Sequence, residues 1–414
     1  MFVGYQLTCQ FRSSNASPLR KLCTNLTSKY AAPRSNSRHA SKLAFHTRRY
    51  IYIQKQHLPL KLANYRMQAC RDCRRLLVTQ VENSAILPQN MEWRTVSFYR
   101  FKPIPEKDLP QLREQMLSDF GRMNIVGRIY IATEGINAQM SCPKENIGWL
   151  REYCDNILDL QNIDLNFATE HSKAFDALHV RIRKQIVADG LESGSYDITK
   201  QPNHLDPEEW HQALSSKPQL VIDMRNHYES EIGYFEGAIR PDVDTFRESV
   251  KVMEEICKGK QDQEVYMYCT GGIRCSKAGA VLRSAGFKSV NVLKGGITAY
   301  GHYVKENPTI NSLYKGRNFT FDRRLGERIT NDVLSQCHTC GKSCNTHTNC
   351  RNSVCNLLFI QCDDCRIRLK ETCGHQACLK IVENMAKRSE DNTKPGVEPW
   401  YEHGVRTRPK AVLE

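Results

Sequence analysis

Nine cysteines fall within the 42 residues 337–378, and no other feature restricts the possible folds as tightly. A segment of about 45 residues cannot bury an adequate core unaided, and its apolar content is mainly one run, residues 357–360. The basic opening of the chain lacks the compact apolar stretch of a secretory leader. A disulfide framework is therefore disfavoured, and clustered thiols read as metal ligands. Cys337-x2-Cys340 and Cys362-x2-Cys365, with 21 residues between the pairs, have zinc-ribbon spacing and should hold one tetrahedral Zn²⁺. Cys344, His347, Cys350, Cys355, Cys373, His375 and Cys378 remain, and a second ion would take four of them, for example Cys344, Cys350, Cys373 and Cys378. One or two structural zinc ions are expected, with an iron–sulfur cluster as the open alternative, since thiolates serve both. Residues 315–380 form this Cys-rich zinc-binding region, and 381–414 read as a polar tail.

Charge is distributed unevenly. The formal net charge is +14, yet residues 1–71 hold 13 basic residues and no acidic one. The rest of the chain has 46 basic against 45 acidic residues. Any RNA surface must therefore come from local clustering rather than overall charge. The acid-free, Arg- and Ser-rich opening has presequence composition. Residues 1–90 are expected to be a basic targeting or disordered segment directing the chain to mitochondria, a cytoplasmic location being the alternative. No uninterrupted apolar run approaches the ~20 residues of a spanning helix, so no membrane partner is expected.

Regular periodicity begins near Thr95. Residues 95–101 have strand composition, and 106–123 place apolar residues at helical spacing. Strands at 127–132 and 136–141 follow, then a helix at 144–158 and strands at 163–168 and 178–187. The order β-α-β-β-α-β-β over residues 94–190 predicts a ferredoxin-like (acylphosphatase-like) sandwich. Its loop ATEGINAQ puts Glu134, Asn137 and Gln139 beside a glycine turn, where exposed polar side chains are the simplest expectation.

Residues 206–308 read differently. Asp206-Pro207-Glu208-Glu209 is a helix start. Strands at 220–224, 265–269 and 290–293 alternate with helices, which means an open α/β parallel sheet. Ligands of such sheets bind at the carboxyl ends of strands, and Cys269 sits at one. Thr270, Gly271, Gly272, Ile273 and Arg274 follow, then a helix start. Glycines let successive N–H groups curl into an anion nest; the helix start and Arg274 add positive charge, and together these lower a thiol pKa. Cys275, at the same helix start, is a second candidate. Asp223 and Arg225 form an ion pair that supports the loop.

The segments IDMRNHYE, GYFEGA and YCTGGIRCSK resemble the rhodanese signatures. Together with SFYRF, EGINAQ, THTNC and LLFIQC, in that order from Thr95 to Cys378, they resemble the tRNA uridine hydroxylase family. That resemblance implies oxygen-dependent hydroxylation of C5 of the wobble uridine, with dioxygen as co-substrate and tRNA as partner. It also implies an essential rhodanese cysteine able to carry a persulfide. Cys269 matches the usual nucleophile; Cys275, which replaces a common Ser, could be nucleophile or resolving thiol. RNA contacts are expected from Arg181, Arg183 and Lys184 on one strand, and from Arg317, Arg323 and Arg324 interleaved with Phe319 and Phe321. The competing reading is a sulfurtransferase moving sulfane sulfur through a cysteine persulfide; a small-donor enzyme of that kind needs neither an extra sandwich nor a zinc module. A non-catalytic zinc adaptor is disfavoured by the intact Cys269. Overall, a mixed α+β and α/β multidomain chain is expected.

Overall fold

The computed structural model describes residues 91–216 and 219–390. The expected targeting segment and most of the polar tail lie outside them. The described part opens with β1 (Trp93–Phe101), α1 (Leu109–Arg122), β2 (Val126–Ala132), β3 (Gly135–Pro143), α2 (Ile147–Asn156), β4 (Asn166–Phe167) and β5 (Leu178–Ile182). These strands form one sheet in the order β4-β1-β3-β2-β5, a ferredoxin-like arrangement with β5 added parallel to β2. Strand alternation sends Val96, Phe98, Ile129, Ile131, Ala138, Met140 and Val180 to one face, where they are buried against α1 and α2 with Met116, Phe120 and Leu150. Fully burying side chains of this size stabilises by roughly 1.5–3 kcal/mol each. The expected strands at 163–168 and 178–187 shorten to β4 and β5, the residues that keep a ladder register with β1 and β2.

Between the two expected domains the chain forms β6 (Asn203–Leu205). Then follow α3 (Pro207–Ser216), β7 (Leu220–Asp223), α4 (His227–Ser230), β8 (Gly233–Phe235), α5 (Phe246–Cys257), β9 (Val265–Tyr268), α6 (Ile273–Ser284), β10 (Val290–Leu293) and α7 (Gly296–Glu306). A parallel sheet runs β6-β10-β9-β7. Helix α5, absent from the sequence reading, buries Phe246, Val250, Met253 and Cys257 along one stripe and is capped by Thr245, whose hydroxyl accepts the Glu248 N–H.

The remaining elements are β11 (Tyr314–Asn318), β12 (Glu327–Arg328), β13 (His347–Asn349), β14 (Leu358–Ile360), α8 (Asp363–Arg368) and α9 (Gln376–Glu390). Strand β11 pairs antiparallel with β8, so the Cys-rich region begins as an extension of the rhodanese-like unit. His338 fastens it further, its Nε2 lying 2.7 Å from a Glu231 carboxylate oxygen. Among the described residues no helix is long and apolar enough to cross a membrane.

Candidate active site

Strand β9 is buried along its whole length and delivers Cys269 to the mouth of the parallel sheet. The loop that follows folds around the sulfur because its carbonyls are taken elsewhere. At the start of α7, Ile297 N–H donates to the Cys269 carbonyl at 3.0 Å and Thr298 N–H to that of Thr270 at 3.2 Å. Gly296 allows this approach; a Cβ there would lie 2.4 Å from the Cys269 oxygen. The loop amides then face inward, and Gly272 N–H reaches Cys269 Sγ at 3.1 Å. Gly272 caps α6 in the left-handed region, φ +97°.

Burial alone would raise the Cys269 pKa. The Cys275 thiol, the Arg274 charge and the Cys275 and Gly272 amides overcome it and bring the pKa down to about 5. The same pairing pushes Cys275 up, since burial and a neighbouring thiolate both disfavour its ionisation. The two candidate cysteines are therefore not equivalent: their surroundings favour the thiolate at Cys269 and the thiol at Cys275.

Arg274 is held by Glu229, which is fully buried. Its two terminal nitrogens meet the two carboxylate oxygens at 2.6 and 2.8 Å. Burial works to raise the Glu229 pKa, but the Arg274 charge outweighs it and keeps the carboxylate ionised. Thr270 Oγ1 donates to Glu229 at 3.1 Å. Asp223 and Arg225 form the expected buried pair, 2.7 Å apart, and Arg225 goes on to the Gly233 carbonyl, bracing the strand end.

The sheet of the first unit closes over this loop. Tyr99 Oη lies 2.8 Å from Ser276 Oγ, and Asn166 Nδ2 donates to the Gly295 carbonyl at 2.8 Å. Lys277 on α6 is fully buried and makes ion pairs of 3.0 Å with both Glu134 and Asp189. Glu134 also accepts the Ile186 N–H, and Asn137 donates to the Ile186 carbonyl. The ATEGINAQ loop is thus a clamp, which corrects the expectation of solvated polar side chains for Glu134 and Asn137. Between the two units lies a cavity of about 950 Å³, lined by Cys269, Arg274, Tyr99, Arg128, Arg183 and Phe321 among others.

The RNA candidates divide. Arg181, Arg183 and Lys184 are exposed, with the Arg183 guanidinium 5.3 Å from the Tyr130 ring centroid. Arg323 is exposed and pairs with Asp176. Two others are engaged within the fold. Arg317 donates to the Gly326 carbonyl in surroundings whose burial lowers its pKa. Arg324 is taken up by Asp322 and Glu327. Neither presents a free cation. Phe319 is a core residue against Tyr228, while Phe321 sits 5.7 Å from the Arg274 guanidinium.

Eight of the nine clustered cysteines fall into two four-thiol groups, each able to hold a metal ion: Cys337, Cys340, Cys362 and Cys365, and Cys350, Cys355, Cys373 and Cys378. The first is the set expected from spacing. In the second, Cys355 stands where Cys344 was expected; Cys344 instead packs with Tyr228, Phe319 and Ile360. Glu229, Tyr99, Asn166 and Lys277 escaped the sequence reading as site residues. Glu229 and Lys277 lie inside the quoted signature segments, but their partners are 45 and 143 residues away.

A low-pKa thiolate at a strand end, cradled by the amides of a following helix, defines a rhodanese-type enzyme, here with a second α+β sandwich closed over the sulfur. Family models agree: a UPF0176 acylphosphatase like domain matches residues 93–186, a Rhodanese-like domain 206–302 and a Rhodanase C-terminal model 315–379. A tRNA uridine(34) hydroxylase of Leptospira interrogans is 44% identical over 286 residues, covering 69% of this chain and 77% of the relative. That of Photorhabdus laumondii is 39% identical, covering 73% and 87%, and that of Salmonella typhi 40%, covering 70% and 82%. The chain belongs to the tRNA uridine(34) hydroxylase family.

Proposed function

We propose that this protein hydroxylates C5 of the wobble uridine of tRNA, with dioxygen as co-substrate and Cys269 as the reactive thiolate, the site that would carry a persulfide. The observation that carries the reading is Cys269 itself, 1% exposed and lowered to about pKa 5 beneath a roof supplied by another domain. At neutral pH it is ionised without a separate base. Cys275 acts as the donor that holds this state, and Arg274 with Glu229 fixes the positive side of the cradle. Arg181, Arg183, Lys184 and Arg323 supply cations for the RNA backbone.

The two four-thiol groups are structural zinc sites in this reading. A tetrahedron with Zn–S of about 2.3 Å has sulfurs about 3.8 Å apart. Cys340 and Cys362 are 3.7 Å apart, Cys373 and Cys378 3.8 Å, and Cys355 and Cys373 4.0 Å. An iron–sulfur cluster interposes irons and sulfides between its thiolates, so this close spacing favours a single ion. The zinc would hold the thiols in place and takes no part in the chemistry. The acid-free opening segment supports mitochondrial import, which a reporter fused to residues 1–60 would test; a diffuse cytosolic signal refutes it.

The experiment for function is mass spectrometry of tRNA nucleosides from cells lacking the protein and complemented with wild type or Cys269→Ser. Wild type should restore 5-hydroxyuridine and Cys269→Ser should not. Unchanged 5-hydroxyuridine in cells lacking the protein would overturn the reading and leave the sulfurtransferase alternative.

A further inference from the structure

The roofing sheet has a second face, opposite the helices, and its cross-strand register builds a continuous polar row. Asn166 pairs with Ser97, Ser97 with Gln139, Gln139 with Arg128, and Arg128 with His179. All five point away from the buried side formed by Val96, Phe98, Met140, Ile129 and Val180. The next row on the same face is Tyr99, Asn137, Tyr130 and Arg181. One end of the first row is anchored beside the reactive loop, where Asn166 holds the Gly295 carbonyl at the start of α7. The other end is exposed, ending in the Arg128 cation and the His179 imidazole. Ser97, Gln139, Arg128 and Tyr130 all line the cavity that contains Cys269.

We infer that this sheet face is the track for a single-stranded RNA segment, with Arg128 and Arg183 gripping phosphates, Tyr130 stacking a base, and Gln139 bonding the edge of the pyrimidine led to Cys269. The inference rests on the tRNA reading above and adds residues to it. Three inter-strand steps from Asn166 to Arg128 span about 14 Å, longer than one nucleotide. The cavity of about 950 Å³ is at the upper end of the ~300–1,000 Å³ usual for small-molecule sites. Cys269 is buried beneath the roof, so a base must leave its stack to reach it, which is cheapest in an unpaired loop. Gln139 fits the task because its amide offers a donor and an acceptor side by side, matching the adjacent donor and acceptor of a pyrimidine edge. The Arg183 guanidinium lies over the Tyr130 ring, 5.3 Å from its centroid, and Arg–aromatic platforms accept bases with little regard to sequence.

The test is equilibrium binding of an anticodon stem-loop RNA to the full-length protein across a salt series. Removing one phosphate contact from a single strand should flatten the log–log salt slope by about 0.7. Arg128→Ala and Arg183→Ala should each do so; Tyr130→Ala should weaken binding roughly tenfold with the slope kept. Gln139→Leu should reduce kcat/KM on tRNA more than it reduces binding. Arg122→Ala, on the helix behind the sheet and 73% exposed, should change neither affinity nor slope. Wild-type binding with unaltered slopes in both Arg128→Ala and Arg183→Ala would overturn the track while leaving the tRNA reading intact. Absence of RNA binding by wild type would overturn both.

Discussion

The Arg274–Glu229 pair ties stability to reactivity, and its removal should separate them. In Arg274→Met, Glu229 stays buried with only the Asn226 N–H at 3.0 Å and the Thr270 hydroxyl at 3.1 Å as donors. An orphaned buried carboxylate of this kind costs about 3–5 kcal/mol. In the double variant Arg274→Met/Glu229→Met no charge is stranded, and most of that loss should return, since buried pairs replaced by apolar groups are often near neutral. The Cys269 thiol should not recover. Without Arg274 its pKa rises from about 5, with only Cys275 and the loop amides left to oppose burial. Urea denaturation measures the first quantity, and the pH dependence of the iodoacetamide alkylation rate of Cys269 measures the second. A loss under about 1 kcal/mol in Arg274→Met, or an inflection still near 5 in the double variant, would refute this account.

Linkage gives a companion result. The folded Cys269 pKa is depressed from 9.0 to about 5, so its contribution to stability is lost as pH falls through about 5 and grows as pH rises toward the unfolded value. The stability gap between wild type and Cys269→Ser should widen by up to about 1.4 kcal/mol per pH unit between 5 and 8; a flat difference in denaturation across that range contradicts it. Elemental analysis should find two metal equivalents in wild type and in Cys344→Ser, but one in Cys355→Ser, and the opposite ordering would restore Cys344 as a ligand. Lys277→Met should strand Glu134 and Asp189 together at the domain junction and lower stability by about 3–5 kcal/mol, and a loss below 1 kcal/mol in denaturant would show the clamp to be idle.

Local signals were legible where one segment carries them whole. Alternation through Val96 and Phe98 marks β1, and a buried strand running into Thr-Gly-Gly and a helix start marks Cys269. The same kind of signal exists for α5, where Phe246, Val250, Met253 and Cys257 repeat at helical spacing behind a Thr245–Glu248 capping box. What depends on pairing across the chain was illegible. Cys344 and Cys355 are indistinguishable by spacing, because the path between β13 and β14 decides which thiol turns toward Cys350. The row through Ser97, Gln139 and Arg128 exists only once the strand order is known, and Arg317 and Arg324 look free until their carbonyl and carboxylate partners are seen.

Gly272 carries a consequence for anyone moving parts between proteins. Its φ of +97° already disfavours a side chain, and a Cβ there would also come within 3.0 Å of the Tyr99 hydroxyl, which belongs to the other domain. In a rhodanese standing alone, an Asn could take such a left-handed cap at modest strain; here the space it would need is occupied. The reactive loop and its roof are consequently a matched pair. A grafted loop that carries a side chain at position 272 should be accepted in this chain only when the Tyr99 hydroxyl gives way or residue 99 is exchanged with it.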